Sequence, residues 1–328
     1  MSTTAQRYGV CVRNSAGENR DFTPVSNVSL PPYPRTLTTA AKFVVGRYKF
    51  FSGVLPNNRW WAGTALTFTV AATVTSPVMA TPTAAAPTNA SAMPVGNLPN
   101  WTQNYSEDFT TAAARGSVDA VYGSPMAGYN GFSDTSGHGT YDPGSVLSVS
   151  NGALDYYLHT ENGRPRVAAP VLNNYAGQTY GRYSVRFRSD KLPGYKIAFL
   201  LWPETDDWNE GEIDWPEGNL GDRMSPASAI KGSYSNGSVK FDPPNRVYSA
   251  TDSTGWHIAT TEWTPGGVQW FWDGQLVGST TQPAGVPDTD FRWVLQAETA
   301  LDGSTPSADT AGHLQVDWAV SYAYSPNQ

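Results

Sequence analysis

With 328 residues, the chain is long enough for two domains or for one large β domain with an extension. Charged residues make up only 15%, their place taken by 31 Gly, 25 Pro and many aromatics, 12 of them Trp, which suits short strands and turns and not helical bundles. The net charge of −7 comes with no basic tract, no stretch approaches the ~20 apolar residues of a membrane span, and Cys11 is the lone cysteine; no nucleic-acid partner, membrane insertion, internal disulfide or Cys-rich zinc site is expected.

Residues 1–20 are polar and lack the apolar core of a secretion signal. Residues 1–76 read as a small β-rich unit, with strands expected at 42–49 and 65–74 and a turn at Leu55-Pro56-Asn57-Asn58. Residues 77–99 shift to Pro, Ala, Thr and Ser, too little apolar area to fold alone, and are read as a linker. Residues 100–328 then show strand patterns separated by turns. Val146–Val149 and Gly152–His159 form an expected hairpin through Asn151-Gly152, and 268–272 pairs with 275–278 through Asp273-Gly274. Between them, Tyr183, Val185 and Phe187 alternate with Ser184, Arg186 and Arg188. Ile197–Trp202 is a continuous apolar run, fitting a buried central strand, and 314–322 closes the domain. No helix longer than two turns is expected. The whole describes a two-sheet jelly-roll sandwich.

The segment that carries chemistry is Glu212-Ile213-Asp214-Trp215-Pro216-Glu217. Glu212 and Asp214 share a strand face, but Glu217 lies at odd parity from Glu212 and would point away from a regular strand. One extra residue in a β-bulge restores the parity, and Pro216, which cannot donate to a ladder, fits a bulge. Three carboxylates crowded together raise one another's proton affinity. Glycosidic cleavage needs such a set: one ionised carboxylate to attack or stabilise, one protonated to donate to the leaving oxygen. Trp202, Trp208 and Trp215 flank the segment as stacking platforms for sugar rings. An acidic exposed strand, or a calcium site built from the same oxygens, is the alternative reading.

Glu212-Ile-Asp-Trp-Pro-Glu217 resembles the E-x-D-x-x-E signature of glycoside hydrolase family 16, the laminarinase and lichenase relatives. The Leu-Leu-Trp-Pro run at 200–203, Gly211, and the stretches 177–188, 255–265, 268–274 and 316–318 resemble the same family in the same order. The resemblance implies a concanavalin-like jelly roll and an endo-acting retaining hydrolase of β-linked polysaccharide. It gives Glu212 as nucleophile, Glu217 as general acid/base and Asp214 as the residue tuning charge between them. Glu298 resembles a family position lining the cleft, although a cross-strand hydrogen bond would also account for it; Arg186 joins it and the three tryptophans as a candidate sugar contact. No cofactor is required; a structural calcium at Asp108 and Asp317 is the one metal implied, and turn capping explains those residues equally well.

The sequence departs from the family in one place. Many members carry a His on the strand after the catalytic one; here 229–235 holds none, so either Lys231 or Tyr234 substitutes or the subsite differs. His257 fits a structural Trp-His turn. Three readings stay open: a hydrolase, a transglycosylase sharing its covalent intermediate, and a glycan-binding structural protein that keeps the fold without turnover. An extracellular enzyme without a signal peptide suits a virion, for example a bacteriophage tail, to whose other proteins residues 1–76 would attach it.

Overall fold

The computed structural model describes residues 92–326 in full and, ahead of them, the backbone of six strands between residues 3 and 70. The chain divides into two units, Met1–Ala90 and Ser91–Gln328. In the first, an antiparallel sheet is built on the pairing of Thr3–Asn14 with Gly46–Leu55. The expected strand at 42–49 appears as Gly46–Leu55 and that at 65–74 as Leu66–Val70. The 77–91 part of the expected linker lies outside the described residues. Its last part does not: Met93 and Leu98 belong to the second unit and pack against its buried Trp101 cluster.

That second unit is an all-β jelly-roll sandwich, as expected, with helices of no more than five residues. Its site-bearing sheet has five strands: β1 (Tyr195–Pro203), β2 (Glu212–Asn219), β3 (Ser225–Ala229), β4 (Phe241–Asp242) and β5 (Phe291–Thr299). Their spatial order is β4-β3-β2-β1-β5, all neighbours antiparallel. A ten-stranded sheet lies behind it, centred on Gly181–Ser189 between His257–Thr264 and Gly312–Tyr324.

Period-two alternation sends Val185 and Phe187 inward from the ten-stranded sheet to meet Ile197, Phe199, Leu201 and Ile213 from the five-stranded one. Phe187 sits edge-on between Phe199 (5.5 Å) and Trp272 (5.7 Å). Each such side chain contributes roughly 1.5–3 kcal/mol by leaving water. The apolar run in β1 is continuous because the strand is flanked on both edges and covered on both faces: Ala198 and Leu200, on the other side from the core, are buried too. Both expected hairpins form. Asn151 and Gly152 (φ 54° and 73°) and Asp273 and Gly274 (φ 50° and 77°) take the left-handed pair that matches strand twist.

A smaller apolar cluster lies apart from the main core. Trp101, Trp318, Val320 and Tyr322 are covered by Met93, Leu98, Ile258 and Tyr324. The segment before Trp101 is tied down by Gln103, which accepts from the Gly96 amide (2.7 Å) and donates to the Pro94 carbonyl (2.9 Å). No helix among the described residues is long and apolar enough to cross a membrane.

Candidate active site

β2 begins at a position only glycine fills. Gly211 has φ 106°, and a Cβ there would come within 2.9 Å of Pro287 and 3.3 Å of the Ala229 carbonyl. From there Glu212 and Asp214 face outward, while Ile213 and Trp215 enter the core. The expected bulge follows. Asp214 pairs with Leu200 on β1 and Ala227 on β3, and Glu217 with Ala198 and Ser225. Three steps on β2 thus oppose two on each neighbour, and the extra residue returns Glu217 to the face of Glu212 and Asp214. Small residues on β3 (Ser225, Ala227, Ala229) lie alongside and leave the carboxylates room.

The electrostatics are those of a crowded, half-dry site. Burial, with the Glu217 charge adding to it, pushes Glu212 up to about 7, against the opposing pull of the Trp208 indole N–H, which donates to Glu212 Oε2 at 2.6 Å. Burial also carries Asp214 well above the ordinary carboxylate range, and the neighbouring Glu212 and Glu217 charges push the same way. Between the two, the neighbouring Asp214 pulls Glu212 down while Glu212 pushes Asp214 further up, so the acid form is favoured at Asp214. The buried Asp214 Oδ1 has no partner among the described residues.

Lys196 from β1 reaches the same group. Its Nζ donates to Glu217 Oε1 at 2.7 Å and lies 3.4 Å from Glu298 Oε1 on β5. Burial works against its charge, but the Glu217 and Glu298 carboxylates outweigh it and hold the ammonium above its ordinary value. Glu298 is itself raised by burial, against the pull of Lys196.

The expected sugar contacts divide. Trp208 and Trp202 are half-buried neighbours (6.1 Å between rings), and Tyr234 continues the row beyond Trp208 at 5.3 Å. Of the two residues considered in place of the missing His, it is Tyr234 that adjoins the site, since Lys231 is paired with Asp288 at 2.8 Å. Trp215 is no platform. Its ring is buried against Trp272 (5.8 Å), and its Nε1 donates to the Phe271 carbonyl, because position 215 has core parity. Arg186 is on the ten-stranded sheet, facing away from the core, paired with Asp317 at 2.5 Å and stacked on Trp256 at 4.6 Å. Glu298 is 1% exposed and holds Lys196 rather than a ligand.

The calcium expectation also meets committed oxygens. Asp317 is bound to Arg186, and Asp108 Oδ1 accepts from the Thr110 hydroxyl at 2.9 Å. No cluster of three or more His, Cys, Asp or Glu among the described residues suits a metal ion. These residues do not fit calcium. His257 serves the turn, bonded to Asp273 at 2.7 Å and stacked on Trp272 at 4.5 Å. Lys196 was not singled out from sequence, though a lysine inside an otherwise apolar central strand is a signal in itself, since a buried charge requires a partner. Arg292, opposite Trp202 on β5, was missed as well; it pairs with Asp206, which accepts from Trp202 Nε1 at 2.9 Å.

The geometry agrees with three comparisons. Endo-1,3-1,4-beta-glycanase EglC of Rhizobium meliloti (strain 1021) is 23% identical over 202 residues, 61% of this chain and 41% of that protein, so the chain spans less than half the relative's length. The laminarinase of Rhodothermus marinus superposes with a TM-score of 0.53 at 21% identity, covering 70% of this chain and 99% of that one. The kappa-carrageenase zobellia_236 of Zobellia galactanivorans does so at 0.52 and 14%, covering 72% and 99%. Residues 141–320, more than half the chain and including every carboxylate of the site, match the model of glycosyl hydrolases family 16, and the chain belongs to that family.

Proposed function

We propose that the chain is an endo-acting, retaining glycoside hydrolase that cleaves a β-linked polysaccharide by double displacement. The observation that carries this reading is the bulged strand that sets Glu212, Asp214 and Glu217 on one face. Burial makes the acid form the cheaper one at Asp214, which keeps the neighbour of Glu212 uncharged. Glu212, with Trp208 as its donor, is thereby available as the anion that attacks the anomeric carbon. Glu217 protonates the departing glycosidic oxygen, and after the glycosyl-enzyme forms it takes a proton from the water that releases the sugar. The two inversions give net retention.

The substrate class is a β-1,3- or mixed-linkage β-1,3-1,4-glucan. The names of the glycanase and laminarinase relatives support it, as does the row Tyr234, Trp208 and Trp202, whose ring faces suit neutral pyranoses.

Digestion of laminarin, mixed-linkage glucan and kappa-carrageenan, with NMR of the first product before mutarotation, tests the reading. Internal cleavage of a glucan with retained configuration is expected, and an inverted first product excludes Glu212 as nucleophile. Glu212→Gln is expected to lower turnover by at least about 10³-fold while glycan binding persists. Glu217→Ala is expected to recover activity with azide on a substrate bearing a good leaving group, because the small anion replaces the missing base.

A further inference from the structure

Lys196 occupies a place where an aliphatic side chain would serve the fold. It belongs to the outward set of β1 (Lys196, Ala198, Leu200, Trp202), whose next two members are apolar and buried, and its own side chain is 7% exposed. A charge set so deep is weak evidence for stability, since well-packed apolar residues commonly replace buried ion pairs without loss. Its two partners differ in kind. Glu298 is fully buried directly across on β5, while Glu217 is more exposed and, in the reading above, changes protonation twice in every turnover. A lysine paired with Glu217 alone would be stranded whenever Glu217 took up its proton. Glu298 removes that penalty by keeping the ammonium paired in both states.

We infer that Lys196, anchored by Glu298, is a positioning residue for Glu217. It aims the carboxyl group through a charge-assisted hydrogen bond, Nζ to Oε1 at 2.7 Å, while Glu298 fixes the ammonium from the other side. Glu212 and Asp214 share its strand face, Ser225 is its neighbour on β3, and Glu298 on β5 stands behind the lysine. Among the described residues, Lys196 is the cation paired with Glu217.

This inference rests on Glu217 as acid/base, and its test is separable from that reading. The measurement is kcat and KM for laminarin and mixed-linkage glucan in the wild type, Lys196→Met, Lys196→Gln and Lys196→Arg, with thermal melting of each. A misaimed acid/base lowers turnover and not binding, so kcat is expected to fall by at least about tenfold with KM little changed in Lys196→Met and Lys196→Gln. Lys196→Arg, which keeps a charged donor, is expected to recover most of that loss. Should the methionine variant fail to fold, the glutamine variant, which keeps a donor for Glu298, carries the test alone. A kcat that stays at the wild-type level, or that falls only in step with the melting temperature and is not recovered by arginine, overturns the inference and leaves Lys196 a structural residue. If azide fails to rescue Glu217→Ala, the acid/base reading itself falls; rescue with kcat unchanged in the lysine variants sinks only the role of Lys196.

Discussion

In the proposed mechanism Trp208 is the side chain in which substrate contact and proton control meet. Its N–H stabilises the ionised form of Glu212, and a hydrogen bond to a charged group contributes about 1.5–3 kcal/mol. Trp208→Phe keeps a ring in the row with Trp202 and Tyr234 but removes that donor. Glu212 then becomes easier to protonate, and the acid limb of kcat/KM is expected to rise by about one pH unit, with a rate loss of about tenfold or more at mid-range pH. A pH profile with the acid limb unmoved would show that the indole acts only as a surface. At this scale the sequence was legible where a residue's role follows from its own neighbours. Glu212 and Asp214, two apart, could be placed together by parity alone. Lys196 and Glu298 could not, because about a hundred residues separate them and only the pairing of β1 with β5 joins them. Trp215 was misread because the run of three tryptophans suggested one surface, whereas its odd parity relative to Asp214 sends it to the core.

Turns and strand periods were the legible part of each element. The Asn151-Gly152 and Asp273-Gly274 hairpins and the Glu217 bulge were all readable, since each rests on backbone chemistry specific to two or three residues. The start of the second unit was not. Composition marks the Pro/Ala/Thr stretch through residue 99 as unable to fold alone, yet Met93 and Leu98 find apolar partners in Trp101 and Trp318, which lie 217 positions apart in sequence. A fragment beginning at Ser91 is therefore expected to melt like the second unit of the intact chain. One beginning at Asn100 loses the half-buried Met93 and Leu98, about 1–3 kcal/mol, and is expected to melt several degrees lower. Equal melting temperatures would show that this segment contributes nothing.

For the molecule as a whole, the acid cluster sets a pH dependence of stability. Glu212 titrates near 7 when folded and near 4.5 as an ordinary glutamate, so between those values the folded state holds a proton that the unfolded chain releases. Its contribution to stability is fully present below about pH 4.5 and is lost as the pH rises through 7, a change of about 3 kcal/mol, with Asp214 acting in the same direction. Urea midpoints are expected to fall across that window. Glu212→Gln, which carries no charge to desolvate, is expected to flatten the dependence and to be more stable than the wild type at pH 8; parallel curves would contradict the buried-carboxylate account. Whether residues 1–76 attach the enzyme to a larger particle is a separate proposal, tested by deleting them and measuring glucan hydrolysis and particle incorporation independently.

The chemical centre is drawn from three adjacent strands, with Lys196 on β1, the carboxylates on β2 and Glu298 on β5, which enters the sheet about seventy residues after β2 ends. No contiguous stretch of chain contains it. Local hairpins such as 147–161 are able to close early, but the lysine and its anchor meet only when a distant segment of chain docks on the edge of β1. In the proposed mechanism, competence is thus a property of the finished sheet, and turnover recovered after dilution from denaturant is expected to report the completion of the architecture rather than the return of its strands.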